Sequence, residues 1–143
     1  MNNIINALNW RYATKSFDSS KKLSDEQLDT ILESMRLTAS SYGLQPWKFV
    51  VVSNPETRTA LRAAAWDQTQ VTDASAFVVL SVRTDVDAAY VDAYMKSIAD
   101  TRGMDVSALT GFADMIKGSI SHKTAEQVVE WSSKQLYIAL GTA

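Results

Sequence analysis

The 143-residue sequence contains no cysteine, one histidine, two prolines and five glycines. The absence of cysteine excludes disulfides, thiolate metal sites and a cysteine nucleophile, and it fits a reducing compartment. A histidine metal cluster cannot form within a chain whose one histidine is His122. We therefore predict no metal site, and we expect His122 to be structural or exposed to solvent.

Charge of one sign and long apolar runs are also scarce. The formal net charge is −2 and no run of like charge is longer than that of Lys21-Lys22, so neither nucleic acid nor an anionic membrane is favoured as a partner. No apolar stretch approaches the length of a membrane span, and the first residues lack the pattern of a secretory signal. With 46% apolar and 21% charged residues, the chain has the composition of a globular protein. We expect one cytoplasmic domain over residues 1–143.

The spacing of apolar residues predicts the elements of the fold. Helices are expected over 2–10, 24–39, 54–66, 86–102 and from 124 onward, and buried strands over 47–53 and 77–82. The late helix has apolar residues on nearly all sides, so we expect burial nearly all round. Residues 104–122, with glycines at 103, 111 and 118, show no clear pattern and are interpreted as a mobile helical excursion. This order predicts an α+β fold, a small mixed sheet surrounded by helices. Because two strands alone rarely form a stable sheet, a partner chain or a further segment is expected to complete it.

Motifs of side-chain catalysis are missing. The sequence has no G-x-S-x-G, Walker A or G-x-G-x-x-G pattern, and its sixteen carboxylates show no spacing typical of a general-acid pair. Hydrolysis is therefore disfavoured, and no side chain is predicted to be a nucleophile. A basic cluster of Arg11, Thr14 and Lys15 lies between two helices and could bind a phosphate. Taken alone, this cluster is more typical of an ordinary solvated loop.

Residues 36–52, RLTASSYGLQPWKFVVV, form the most informative stretch. A helix end leads into a Ser-Ser turn, then a Gln-Pro-Trp corner, then an apolar strand. The loop between helix and strand is held from both sides, which suits it to binding a flat polar ligand.

Three patterns then follow one another along the chain. They are Arg-x-x-Thr-Lys-x-Phe-Asp after the first helix, Ser40-Ser41 with Gln45-Pro46-Trp47 before the first strand, and Trp131 with Lys134-Gln135-x-Tyr137 in the late helix. This arrangement closely resembles the FMN-dependent, NAD(P)H-using nitroreductase family of the oxygen-insensitive type. The resemblance implies a nitroreductase-like fold and a homodimer that holds FMN at its interface. It also implies a ping-pong reaction, in which hydride passes from NAD(P)H to FMN and then to a nitroaromatic, quinone or similar small-molecule acceptor.

The resemblance also implies site residues. Arg11 would bind the phosphate or ribityl end, and Lys15 would lie near the N1/O2 edge, where a cation stabilises the reduced flavin. Ser40 and Ser41 would reach the flavin from the other subunit. Asp67 stands where the family often has an amide, so Gln68 or Gln70 is expected to replace that contact. The remaining implied residues are Tyr12, Ala13 and Gln135 at the cofactor, and Phe112 and Tyr42 in the substrate pocket.

Several alternatives stay open. Ala13 lacks the small hydroxyl that some family members use, and Phe112 is equally consistent with a core aromatic. Trp10, Trp47 and Trp131 are expected to pack rather than to stack on a ligand. Family chains normally continue beyond the late helix, so the sequence is expected to be C-terminally incomplete. Other possible functions are a non-catalytic dimerisation module without flavin, or a related flavoenzyme such as a dihydropteridine reductase or a flavin-fragmenting enzyme.

Overall fold

The computed structural model describes residues 3–143, which form seven α-helices, two short 3₁₀ turns and two strands. The elements in chain order are α1 Asn3–Trp10, α2 Asp25–Arg36, a 3₁₀ turn at Ser41–Gly43, β1 Trp47–Val51, α3 Pro55–Ala64, α4 Gln70–Asp73, β2 Val78–Val82, α5 Ala88–Arg102, a second 3₁₀ turn at Val106–Leu109, α6 Thr110–Ser121 and α7 Ala125–Thr142.

These elements belong to two compact units. The first unit comprises Met1–Ser24 and Val51–Phe77, and the second comprises Asp25–Val50 and Val78–Ala143. The prediction of a single domain over residues 1–143 stays a prediction. No helix within residues 3–143 is both long and apolar enough to cross a membrane.

The first unit is built around α3. Asn54 caps this helix by accepting a hydrogen bond from the Thr57 N–H at 2.7 Å, and Pro55 occupies the first helical turn, where its missing N–H costs nothing. The buried side chain of Arg58 donates from Nε to the Val71 carbonyl at 2.8 Å and from Nη2 to the Ala74 carbonyl at 2.6 Å. One arginine thereby ties α3 to the end of α4.

The second unit holds the main hydrophobic core. Buried side chains from α5, α6 and α7 meet there, with Leu44 and Val86 from the connecting segments; those of the helices are Val91, Met95, Ala113, Ile116, Ile120 and Val128. Helix α5 ends at Gly103, whose φ of 63° is the left-handed conformation that glycine adopts without strain. A reciprocal capping box between Thr124 and Gln127 starts α7.

The two strands pair in antiparallel fashion. The Val52 N–H donates to the Phe77 carbonyl at 2.8 Å, and the Arg83 N–H donates to the Pro46 carbonyl at 3.0 Å. The end of one strand therefore lies beside the start of the other, and among the described residues these two strands form the whole sheet. Helix α7 packs against β2.

Four details of the sequence-based prediction are wrong. Strand β1 is half exposed rather than buried on both faces, with Val50 and Val51 open to solvent. Helix α7 is not buried all round, because Tyr137 is 72% exposed and Ile138 52%. Helix α3 ends at Ala64, since Trp66 has left-handed φ of 52° and cannot continue the helix. Trp10, expected to pack, is 83% exposed.

Candidate functional site

A strained loop connects α2 to β1 in the second unit. We call residues 40–45 the serine loop. Tyr42, Gly43 and Gln45 have φ values of 58°, 74° and 47°, all left-handed. Tyrosine and glutamine rarely adopt this conformation, and each such residue costs of order 1–3 kcal/mol. A loop keeps this geometry only when surrounding contacts determine it, which is a frequent property of ligand sites.

Hydrogen bonds fix both serines of this loop. The Ser40 hydroxyl oxygen accepts from the Gln45 N–H at 2.9 Å, which closes the loop on itself. The Ser41 N–H donates to Oε1 of Gln135 on α7 at 2.8 Å. Two of the motifs found in the sequence, the Ser-Ser turn and the Lys-Gln-x-Tyr segment, therefore meet in the structure.

Three hydrogen-bond donors remain available at this meeting point. Ser40 Oγ accepts from Gln45 and donates to no acceptor among the described residues, so its own proton can bind a ligand. Within residues 3–143 the Ser41 hydroxyl and the Nε2 amide of Gln135 have no hydrogen-bond partner. All three side chains are half-buried, so they are partly shielded from solvent and remain accessible to a ligand. Such a set of donors matches a ligand rich in acceptor oxygens and nitrogens.

The predicted pocket residues Tyr42 and Phe112 pack against the core of the second unit. The Tyr42 hydroxyl donates to Ser119 Oγ on α6 at 3.2 Å, which ties the serine loop to that helix. Phe112 lies two turns earlier on α6 and is half-buried. These contacts explain why both aromatics occupy fixed positions. Their role in binding a substrate stays a prediction.

The first unit carries the basic residues predicted to bind phosphate. Arg11 and Lys15 are exposed, and neither forms an ion pair with a carboxylate of the described chain. Their charges are thus available for an external anion. Tyr12 and Ala13, between them, are exposed as well.

The segment after α3 carries the other predicted cofactor contacts. Arg62 Nε donates to Asp67 Oδ1 at 2.8 Å, so that carboxylate already has a cation beside it. A carboxylate is also unable to donate a hydrogen bond, which the expected amide would do. The side-chain amides of Gln68 and Gln70 have no hydrogen-bond partner in residues 3–143. They are the donors that this segment offers.

Two residues that hold the segments in place were missed by the sequence analysis. Tyr90 on α5 donates from its hydroxyl to the Leu44 carbonyl at 2.7 Å, and burial raises the pKa of this phenol above its ordinary value. Arg58 holds the segment of the first unit that includes α4. Neither residue stands in a motif, and a tyrosine or arginine at helical spacing is usually an ordinary packing or surface residue. The repeat Tyr90-x-x-x-Tyr94 puts two phenols on one helix face. It is the one pattern that could have indicated the role of Tyr90.

His122 is exposed at the end of α6, as predicted for a structural or solvent-facing residue. Within residues 3–143 no group of three or more histidine, aspartate or glutamate side chains is arranged to hold a metal ion.

Comparison with known proteins agrees with this geometry. The sequence model of the Nitroreductase family matches residues 8–143. The chain is 41% identical over 145 residues to "Putative NAD(P)H nitroreductase YfkO" of Bacillus subtilis, covering 96% of this chain and 66% of that protein. It is 42% identical over 141 residues to "Putative NAD(P)H nitroreductase SERP2086" of Staphylococcus epidermidis, covering 96% and 64%. The chain thus spans slightly less than two thirds of these relatives.

Solved structures share the fold at low sequence identity. A structure described as "putative nitroreductase ydfN" from Bacillus subtilis superimposes with a TM-score of 0.85 at 15% identity, covering 98% of this chain and 67% of that one. A structure from Exiguobacterium sibiricum, described as in complex with FMN, superimposes with a TM-score of 0.78 at 21% identity, covering 99% and 68%.

Fold and site together define a class, that of α+β proteins in which helices surround a small sheet and a strained polar loop precedes its first strand. The chain belongs to the Nitroreductase family. The family resemblance and the nitroreductase-like α+β fold predicted from the sequence are confirmed.

Proposed function

We propose that this chain is an FMN-dependent oxidoreductase that uses NAD(P)H to reduce nitroaromatics, quinones or related acceptors by a ping-pong mechanism. Its curated relatives are named as NAD(P)H nitroreductases, and a structure of the same fold is described as an FMN complex. The observation that carries the proposal is the Ser41–Gln135 hydrogen bond. It brings together the Ser41 hydroxyl and the Gln135 Nε2 amide, which have no hydrogen-bond partner within residues 3–143, next to Ser40.

The donor set fits a flavin mononucleotide. Ser40, Ser41 and Gln135 offer two hydroxyls and an amide, which match the carbonyls and nitrogens of an isoalloxazine ring or the oxygens of a ribityl chain. Gln68 and Gln70 offer further amides, while the Asp67 carboxylate is an acceptor that does not suit a ring carbonyl. Asp67 is therefore assigned to holding Arg62, and the rim contact to one of the two glutamines.

The basic segment supplies the charges that such a cofactor needs. Arg11 and Lys15 form no ion pair with a carboxylate of residues 3–143, so binding a phosphate or an anionic ring does not first require breaking such a pair. We assign Arg11 to the phosphate or ribityl end, because a guanidinium can bind phosphate with two parallel hydrogen bonds. Lys15 is assigned to the N1/O2 edge, and Tyr12 and Ala13 to backbone contacts.

When bound, FMN would accept hydride from NAD(P)H and pass it to the acceptor. The chain's own residues then have to bind, orient and shelter the reactants. Tyr42 and Phe112 are assigned to the acceptor pocket because Tyr42 ties the serine loop to α6, Phe112 lies on the same helix, and both pack against the core of the second unit. No side chain need act as a nucleophile, in agreement with the missing catalytic motifs.

We also propose that the active form is a homodimer in the cytoplasm, where NAD(P)H is available. Apolar residues open to solvent on α1 and α7 support an interface between copies, among them Ile5 and Leu8 on α1 and Ile138 and Leu140 on α7, each at least half exposed.

The test is a titration of the purified protein with FMN, followed by NADPH and NADH oxidation with menadione or a nitroaromatic as acceptor. We expect saturable quenching of flavin fluorescence and acceptor-dependent oxidation of NADPH or NADH.

Arg11→Gln should weaken FMN binding roughly tenfold, and more strongly at low salt, because one phosphate contact is lost. Arg102→Gln is the matched control, since Arg102 is likewise exposed and forms no ion pair with the part of the chain that the structure describes. A wild-type protein that neither quenches nor oxidises would reject the proposal.

A second candidate is a non-catalytic dimerisation module. The exposed apolar residues on α7 favour it, together with an apolar groove of about 350 Å³ lined by Leu80, Val82 and Leu136. Light scattering alongside the flavin titration separates the two functions. Stable dimers that have no affinity for FMN would support the module.

A further inference from the structure

Two tyrosines of helix α5, Tyr90 and Tyr94, lie one turn apart and contact the serine loop. The Tyr90 hydroxyl donates to the Leu44 carbonyl at 2.7 Å and lies 3.4 Å from the Gln45 carbonyl. The Tyr94 hydroxyl lies against Gly43. These contacts connect the helix to the part of the loop where the backbone is left-handed.

One peptide group links Tyr90 to Ser40. The Leu44 carbonyl and the Gln45 N–H belong to the same peptide plane, which is rigid because of the partial double bond. Its oxygen accepts from Tyr90, and its N–H donates to Ser40 Oγ at 2.9 Å. The plane is thus held at both ends, so the phenol on one side fixes the direction of the N–H on the other.

The Tyr90 side chain is itself held in place. The guanidinium of Arg83 lies over its ring, 4.8 Å from the ring centre, and that guanidinium is paired with Asp85. The Tyr90 N–H donates to Asp87 at 2.9 Å at the start of α5. A phenol with both backbone and ring fixed can hold the Leu44 carbonyl in one orientation.

We propose that Tyr90 is a positioning residue that aims the Ser40 hydroxyl through the Leu44–Gln45 peptide. Gln45 occupies one of the two lone pairs of Ser40 Oγ, so the direction of the Gln45 N–H determines where the Ser40 proton can point. With Tyr90 absent from that chain of bonds, the strained peptide can rotate and the serine loses its direction. The identity of the ligand that Ser40 meets rests on the proposed function, but the coupling within the protein does not.

Amide hydrogen exchange of the protein without cofactor tests the coupling directly. Tyr90→Phe keeps the ring under Arg83 and deletes only the hydroxyl. We expect exchange at the Gln45 N–H to become roughly five- to tenfold faster, as for the loss of one hydrogen bond. Amides inside α5, at Val91, Met95 and Ala99, should keep their wild-type rates. Tyr137→Phe, which removes an exposed hydroxyl, should leave Gln45 unchanged.

Two results would overturn the positioning role. One is an unchanged rate at Gln45. The other is an equal acceleration throughout α5, or a failure of Tyr90→Phe to fold, because either would show that the hydroxyl supports the whole unit rather than this peptide.

FMN titrations of Tyr90→Phe, Ser40→Ala and the double variant test the consequence for the ligand. If Tyr90 acts through Ser40, each single change weakens binding about fivefold and the double variant is no weaker than Ser40→Ala. Effects that multiply would contradict an action through Ser40. If the wild-type protein binds no FMN, the proposed function fails, while the exchange measurement still decides the role of Tyr90.

Discussion

The Ser41 N–H and the Gln135 side chain form a hydrogen bond of 2.8 Å between residues 94 positions apart in the sequence. The oxygen and the nitrogen of the Gln135 side-chain amide therefore have different roles. Its oxygen holds the serine loop, and its nitrogen remains free to donate to a ligand. The same side chain therefore links the stability of the loop to the chemistry of the candidate site.

Replacing Gln135 by Glu separates these roles. A carboxylate can still accept from the Ser41 N–H, so we expect a melting temperature near that of the wild type. The donor at Nε2 is lost, and FMN binding should weaken at least tenfold because an anion replaces an amide beside an electron-rich ligand. Differential scanning fluorimetry and flavin titration measure the two effects.

Gln135→Leu is the companion variant, because it removes both roles. It should weaken binding and also lower the free energy of unfolding by about 1–3 kcal/mol, since the Ser41 N–H is left without a partner. Equal stability losses in the Glu and Leu variants would contradict the division of roles.

The motifs in the sequence indicated most of the candidate site but not how it is held together. Ser41 and Gln135 were each visible in a motif, whereas their contact depends on how α2 and α7 pack. Tyr90 carried no signal, because a tyrosine at helical spacing has the same pattern whether it fills a core or supports a loop. The Leu44 carbonyl that it binds has no signature in the sequence at all.

The start of α3 was predicted better than its end. Asn54 and Pro55 determine the start of α3 through local chemistry that the sequence shows. Its end depends on left-handed backbone at Trp66, a residue with no preference for that conformation.

The predictions that α7 and β1 are buried on all sides were wrong for a similar reason. The exposed sides of α7 and β1 carry apolar residues. Periodicity alone cannot show which apolar face of an element packs against another element and which stays exposed to solvent.

Gly43 is required by the shape of the serine loop. Its φ of 74° is left-handed, and a Cβ at this position would overlap the Tyr94 hydroxyl. We expect Gly43→Ala to lower the free energy of unfolding by about 2–3 kcal/mol through backbone strain and overlap together. Adding Tyr94→Phe, which removes the overlapping oxygen, should recover part of that loss. Urea unfolding measures all three variants.

Gly118 provides the matched control for that substitution. It lies inside α6 with open space where a Cβ would be, so Gly118→Ala should stabilise the protein by about 0.5–1 kcal/mol. If alanine were tolerated equally at both positions, the left-handed geometry of the serine loop would be refuted.

Arg58 is expected to contribute strongly to stability although it forms no ion pair with a carboxylate of the described residues. Only 8% of the residue is exposed, and its guanidinium binds the carbonyls of Val71 and Ala74. Arg58→Met keeps the apolar stem but leaves those carbonyls unpaired, which should cost about 2–4 kcal/mol in urea unfolding. Arg102→Met, at an exposed position, should change stability by less than about 0.5 kcal/mol. Similar losses in the two variants would show that the buried hydrogen bonds contribute little.

Alkaline pH should weaken the contact between Tyr90 and the serine loop. Burial is the main cause that raises the pKa of Tyr90 above the ordinary phenol value of 10.0. The unfolded chain then releases this proton at lower pH than the folded chain does. The resulting contribution to stability is complete below pH 10 and is lost as the pH rises from there through the raised folded pKa.

Absorbance at 295 nm, where ionised tyrosine absorbs, should therefore show a component from Tyr90 that titrates later than a free tyrosine. Tyr90→Phe should remove that late component and reduce the loss of stability measured by urea unfolding above pH 10. A titration curve of Tyr90→Phe that differs from the wild type only in amplitude would contradict the raised pKa of Tyr90.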